Sequence, residues 1–136
     1  MQAADRVLHE GAAGLIEEML SKLFSSATRT NRPDIVDAAR EVMRAMSPED
    51  VAGVQRGMAE RPDSIATLTT IKVPTLIIAS EEDSVPFSEF ELMRQGIAGS
   101  ELRMIPGTGH YAALERPEEF GGLLCGDFLT GCRETG

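Results

Sequence analysis

The sequence predicts an α/β fold in which a helical segment precedes a β-α-β-α unit with two parallel strands. Residues 74–79 form a short apolar run with several β-branched side chains, which is too short for a helix and suits a strand buried on both faces. A second short apolar run covers residues 102–105, and a stretch with helical periodicity separates the two runs. Helical connections of this kind join parallel strands.

Composition and charge limit the classes of function. The 136 residues fit one domain, and the contents of 42% hydrophobic and 26% charged residues are ordinary for a globular protein. The net charge of −9 argues against nucleic acid and anionic membranes, which bind basic surfaces. Tryptophan is absent and aromatic residues make up 4%, which disfavours stacking on nucleic acid bases. We therefore predict no nucleic acid partner and no membrane partner.

The expected location is cytoplasmic. The N-terminal residues lack the apolar core of a signal peptide, and no run approaches the roughly 20 apolar residues that cross a bilayer. Cys125 and Cys132 have no metal-type spacing. They are predicted to be free thiols in a reducing compartment, and a disulfide between them is the alternative.

The first half of the chain predicts about three helices. Apolar residues recur at intervals of three and four over residues 4–24, and residues 25–32 are interpreted as a polar connector. Pro33 opens a second helix, whose apolar stripe runs to Met46. Residues 47–50, Ser-Pro-Glu-Asp, start a third helix with a capping serine, a first-turn proline and two acids at the positive end of the helix dipole.

The second half predicts the β-α-β-α unit. Residues 87–97 form the helix between the strands, and Pro117 opens a last helix that buries Phe120, Leu123, Leu124 and Phe128, with Cys125 beside them as a small buried thiol. We place the boundary so that residues 1–66 are the helical segment and residues 67–136 the β-α-β-α part.

A carboxylate and an imidazole each follow a predicted strand. The first strand ends at an acidic turn, Ser80 to Asp83, which cannot remain in a core. The second ends at Pro-Gly-Thr-Gly, directly before His110. Because catalytic groups gather at the carboxyl ends of neighbouring strands in open α/β sheets, this edge is the predicted site.

The stretches PTLIIASEEDSVP and GSELRMIPGTGHYAALERPEEF resemble the C-terminal end of the α/β-hydrolase family, close to its carboxylesterase and enol-lactone hydrolase-like members. The resemblance implies that Asp83 is the acid and His110 the base of a Ser–His–Asp triad, in the family's chain order. The family usually has three residues between the acid and the next proline, whereas only Ser84 and Val85 stand here. Glu82 is therefore kept as the alternative acid.

The nucleophile of such a triad lies on a G-x-S-x-G elbow, and this sequence contains no such motif before Asp83. The resemblance therefore implies the C-terminal half of a truncated hydrolase, with residues 1–66 as a helical cap. The complete enzyme would hydrolyse a small-molecule ester or lactone, and this chain would be inactive alone. One alternative is a non-catalytic binding or oligomerisation module that uses its exposed strand edge. Another is one half of a split enzyme.

Other reactive side chains have simpler explanations. Ser80 lacks elbow glycines and is interpreted as a turn residue, and His9 as a surface or half-buried helix residue. Glu115, in the pattern L-E-x-P, is expected to make local hydrogen bonds, whereas Tyr111 either lines a pocket or packs under the cap. No phosphate-binding loop, metal cluster or dinucleotide fingerprint is present, so no cofactor or metal is predicted.

Overall fold

The computed structural model describes residues 13–129. Four helices come first: α1 (Ala13–Leu23), α2 (Ser26–Asn31), α3 (Pro33–Arg44) and α4 (Pro48–Ala59). A 3₁₀ turn (Ile65–Thr70) leads to β1 (Leu76–Ser80), α5 (Phe87–Gly96), β2 (Glu101–Ile105), α6 (Ala112–Glu115), α7 (Pro117–Gly122) and a π-helical turn (Leu123–Phe128). This order confirms the predicted fold class. The predicted start of the first helix, His9 and Cys132 lie outside the described residues.

The two strands form a parallel sheet. Their register pairs Leu76 with Glu101 at one end and Ser80 with Ile105 at the other, so both strands end at the same edge. α5 packs on the sheet through Phe90, which joins Ile77 and Ala79 in a buried cluster. The helix between the strands is thus the crossover that the apolar pattern predicts.

A second apolar cluster lies among the helices. Ile16 and Leu20 on α1, Phe24 directly after α1 and Val36 on α3 form its buried centre. Tyr111, the neighbour of His110, packs against this cluster. The histidine loop therefore contacts both the sheet and the helical segment.

The predicted helix start at Ser47 is confirmed, because its side chain accepts a hydrogen bond from the Asp50 N–H at 3.1 Å. The interpretation of residues 25–32 as a connector is wrong, because residues 26–31 form the short helix α2. Ser25 caps this helix by accepting a hydrogen bond from the Thr28 N–H at 3.2 Å. Polar residues that suggest a loop here act as capping residues.

The last helix of the structure also differs from the predicted one in its extent and in the side chains that it buries. α7 ends at Gly122 and continues as the π-helical turn, so the side chains leave the α-helical stripe. Two glycines, Gly121 and Gly122, weaken the α-helix at this point. Leu124 and Cys125 are exposed and Phe120, Leu123 and Phe128 are half-buried, which contradicts the predicted burial of this set.

Candidate active site

The acidic turn after β1 and the histidine loop after β2 are joined by backbone hydrogen bonds. The Glu81 N–H donates to the Ile105 carbonyl at 3.4 Å, and the Glu82 N–H donates to the Thr108 carbonyl at 2.9 Å. These bonds continue the pairing of the strands past their ends. The two loops are therefore held side by side at the edge where ligands bind in α/β sheets.

The two residues that the sequence singles out contact each other across this junction. His110 Nδ1 lies 3.1 Å and 3.2 Å from the two carboxylate oxygens of Asp83. The Asp83 side chain is 6% exposed, whereas that of His110 is 47% exposed. The Val85 N–H also donates to Asp83 Oδ1 at 2.9 Å, which fixes the carboxylate.

This contact determines which nitrogen of His110 can do chemistry. A carboxylate accepts hydrogen bonds only, so the neutral ring carries its proton on Nδ1 and leaves an electron pair on Nε2. No residue between 13 and 129 forms a hydrogen bond with Nε2. The arrangement can therefore accept a proton at Nε2 and stabilise the resulting imidazolium through Asp83.

The other two acids of the turn have different partners. Glu82 Oε2 accepts a hydrogen bond from the Ser26 N–H at 2.8 Å, and this bond lowers the pKa of the Glu82 carboxyl below its ordinary value. Glu81 Oε2 accepts a hydrogen bond from the Gly107 N–H at 2.8 Å. Glu82, the alternative acid, thus contacts the start of α2, and Asp83 contacts the imidazole.

Two glycines shape the histidine loop. Gly107 has φ of +63°, in the left-handed region that other residues rarely adopt. Gly109 lies against the junction of α1 and α2, where an added Cβ would meet backbone atoms of Leu23, Phe24 and Ser25 at 2.8 Å. The loop therefore needs glycine once for its turn and once for close backbone contact.

Glu115 binds both the histidine loop and the start of α2. Its Oε1 accepts a hydrogen bond from the Gly109 N–H at 2.7 Å. Its Oε2 accepts from the Ser25 N–H at 3.1 Å and from the Ser25 hydroxyl at 2.6 Å. Sequence reasoning predicted local hydrogen bonding for Glu115, which the bond to Gly109 six positions away fits, but it missed Ser25, because a partner 90 positions away leaves no local pattern.

The side chains of the other candidate site residues that the structure describes form no hydrogen bond with the side chain of Asp83 or His110. Ser80 is buried at the end of β1, and its carbonyl accepts from the Asp83 N–H at 3.4 Å. Tyr111 packs edge-on against Phe24, with ring centroids 5.3 Å apart, which favours the packing alternative. Within residues 13–129 no group of three His, Cys, Asp or Glu side chains is arranged to hold a metal ion.

Comparison with known proteins gives partial matches. No family model matches the chain. A stretch of 66 residues, 48% of this chain and 19% of the other, is 36% identical to monoacylglycerol lipase ABHD6 from Bos taurus. Of solved structures, an esterase from Thermogutta terrifontis has a TM-score of 0.81 at 35% identity, over 89% of this chain and 45% of its own.

Two further structures extend this similarity. MenH from S. aureus has a TM-score of 0.84 at 27% identity, over 96% of this chain and 49% of its own. The enol-lactonase from Burkholderia xenovorans has a TM-score of 0.82 at 24% identity, over 93% of this chain and 48% of its own, which shows the fold alone. The chain thus spans about half the length of these solved relatives.

The chain has the fold of the C-terminal portion of an α/β-hydrolase, with a helical segment followed by two parallel strands. At more than 30% identity the chain is similar to an esterase and to part of a monoacylglycerol lipase. Between residues 13 and 129 no helix has the length and apolar character needed to cross a membrane.

Proposed function

We propose that the chain supplies the acid and the base of a serine hydrolase that cleaves a carboxylic ester or lactone, with Asp83 as the acid and His110 as the base. The observation that carries the proposal is the contact of His110 Nδ1 with the Asp83 carboxylate at 3.1 Å, where two parallel strands end. The similarity to an esterase at 35% identity supports ester chemistry.

The mechanism that this geometry supports is a two-step acyl transfer. Nε2 of His110 takes the proton from a serine hydroxyl as the serine oxygen attacks the ester carbonyl, and then gives that proton to the leaving alcohol. Water repeats the sequence and releases the acid. Asp83 holds the ring orientation and stabilises the imidazolium in both steps.

The serine has to come from outside this sequence. No G-x-S-x-G elbow is present, and Ser80 and Cys125 lie at a strand end and in a π-helical turn. We therefore propose that the chain alone is inactive, because a histidine without a nucleophile retains only weak general-base catalysis of water attack.

The experiment is hydrolysis of a short-chain p-nitrophenyl ester by the purified chain and by His110→Ala. We expect the two rates to be equal. Turnover by the chain that is lost in His110→Ala would contradict the inactivity, and Ser80→Ala and Cys125→Ala would then identify the nucleophile.

We also propose that the helical segment is a cap over the substrate. A small apolar cleft lies among α1, α3 and α4. An acyl chain suits this lining, which consists of Leu15, Ile16, Met19, Met43, Met46, Val51, Val54 and Gln55.

A second candidate function rests on the sheet. β1 and β2 pair only with each other among the described residues, and the apolar side chains of Val73 and Met104 are 66% and 45% exposed. Unpaired strand edges recruit another chain. A binding or oligomerisation module, or one half of a split enzyme, would use this edge. Light scattering on the purified chain tests the homodimer, and a monomer would contradict it.

The cytoplasmic location stays a prediction.

A further inference from the structure

The buried side chain of Glu115 forms no hydrogen bond with Asp83 or His110, yet it connects the histidine loop to the helices. It is 8% exposed, and its Ser25 partner is 0% exposed. The three groups that donate to it are the Gly109 N–H, the Ser25 N–H and the Ser25 hydroxyl, at 2.7, 3.1 and 2.6 Å. Both carboxylate oxygens are thus used, each toward a different segment of the chain.

Two further contacts hold the histidine loop against the end of α1. The Tyr111 N–H donates to the Leu23 carbonyl at 3.0 Å, so the residues on both sides of His110 are hydrogen-bonded to fixed groups. Gly109 approaches the α1–α2 backbone so closely that a Cβ would lie 2.8 Å from it. The residues on either side of His110, Gly109 and Tyr111, therefore take their position from Glu115 and from the end of α1.

We infer that Glu115 is a positioning residue, which keeps the His110 ring within reach of Asp83 by fixing the Thr108–Gly109 peptide against Ser25. The inference rests on the proposed function for its importance to catalysis, but the positioning itself is a property of the chain alone. A carboxylate is the group that fits, because it only accepts hydrogen bonds and both of its oxygens face N–H groups. A glutamine has one carbonyl oxygen, so its NH₂ group would face either Gly109 N–H or Ser25 N–H and leave that donor without an acceptor.

The test compares Glu115→Gln with Glu119→Gln, a matched loss of one charge on an exposed side chain nearby. Amide hydrogen exchange and the imidazole NMR signals of His110 are measured on the purified, isotope-labelled chain. In Glu115→Gln we expect the Tyr111 amide, and whichever of the Gly109 and Ser25 amides loses its acceptor, to exchange at least about tenfold faster, as expected when a charge-assisted hydrogen bond is lost. The Nδ1–H signal of His110 should also shift or broaden. Amides in α3 and α5 should keep their wild-type rates, and Glu119→Gln should match the wild type throughout.

Two results would overturn the inference. One is a Glu115→Gln variant whose His110 signals and whose Gly109 and Ser25 amides all match those of Glu119→Gln. The other is uniform loss of protection across α3 and α5, which would show a structural role only. If Glu115→Gln does not fold, Glu115→Asp replaces it. That variant keeps the charge but is one methylene too short to reach both partners, and we expect the same local change at a smaller amplitude. These readouts need no turnover, so they stand or fall separately from the ester assay.

Discussion

Three consecutive acids show how one short turn holds several parts of the molecule together. Glu81 accepts a hydrogen bond from Gly107, Glu82 accepts one from Ser26, and Asp83 contacts His110. In the sequence these residues form one acidic turn, in which Asp83 is the expected acid and Glu82 its alternative. The different partners follow from the turn itself, because successive side chains leaving a strand end point in different directions.

Gly109 is the residue whose substitution tests the close contact between the histidine loop and the helices. In Gly109→Ala the new Cβ would meet backbone atoms of Leu23, Phe24 and Ser25 at 2.8 Å, so one of the two segments has to move. We expect a loss of about 1–3 kcal/mol in the free energy of unfolding, as for other overpacked sites. Urea denaturation measures this loss.

Gly121→Ala is the control, because an added Cβ there meets nothing within 4 Å and the residue lies in α7. Alanine favours the helix over glycine, so the control should be unchanged or more stable by up to about 1 kcal/mol. Equal urea midpoints for the two variants would contradict the close contact at Gly109.

The Glu82–Ser26 hydrogen bond predicts a dependence of stability on pH. The bond lowers the pKa of Glu82 from its ordinary value of 4.5, so the ionised carboxyl stabilises the folded chain fully above that pH. The stabilisation is lost as the pH falls through the lowered pKa.

We therefore expect Glu82→Gln to be less stable than the wild type at pH 7 by about 0.5 kcal/mol, a small value because the carboxylate is exposed and screened. The difference should shrink as the pH falls through the lowered pKa of Glu82. Urea denaturation between pH 3 and pH 7 measures it, with the exposed Glu91→Gln as the control. A difference that grows toward low pH would contradict this assignment.

At the scale of the elements, local chemistry was predictable and partners distant in sequence were not. The helix start at Ser47 follows from four consecutive residues, and the strands follow from short apolar runs between polar turns. The helix at residues 26–31 was missed because its cap, Ser25, is fixed by Glu115, 90 positions away. The last helix was extended too far because an α-helical period was assumed through Gly121 and Gly122, where the chain changes to a π-helical turn.

The prediction at the scale of the elements concerns the stability that the Ser47 cap gives to the start of α4. Ser47→Ala removes the side chain that accepts the Asp50 N–H, and we expect a loss of about 1 kcal/mol in the free energy of unfolding. Ser21→Ala is the control, because Ser21 lies inside α1, where alanine is the better helix former. A Ser47→Ala variant as stable as Ser21→Ala would show that the cap does not stabilise α4.

For the whole molecule, the sequence placed Asp83 and His110 at one edge of a parallel sheet, and the structure brings them into contact. This part was predictable because strand ends and turn residues are local features. The attachment of that edge to the helices through Ser25, Ser26 and Gly109 was not, since it depends on how segments far apart in sequence pack.

The central claim is that Asp83 and His110 are the acid and the base of an ester hydrolase, and one measurement tests it most directly. The part of the Thermogutta terrifontis esterase that this chain does not cover is joined to this chain, because the chain order of the proposed triad puts the nucleophile before the acid. Ester hydrolysis is measured for this fusion and for its His110→Ala, Asp83→Asn and Glu82→Gln variants, each first shown to be folded by circular dichroism.

We expect the fusion to hydrolyse p-nitrophenyl esters, and His110→Ala and Asp83→Asn to lose at least about 10³-fold in kcat, as when members of a catalytic triad are removed. Glu82→Gln should keep its kcat within a few-fold. A folded, active fusion that retains its rate in His110→Ala or Asp83→Asn would contradict the claim. A loss in Glu82→Gln as large as that in Asp83→Asn would contradict the choice of the acid.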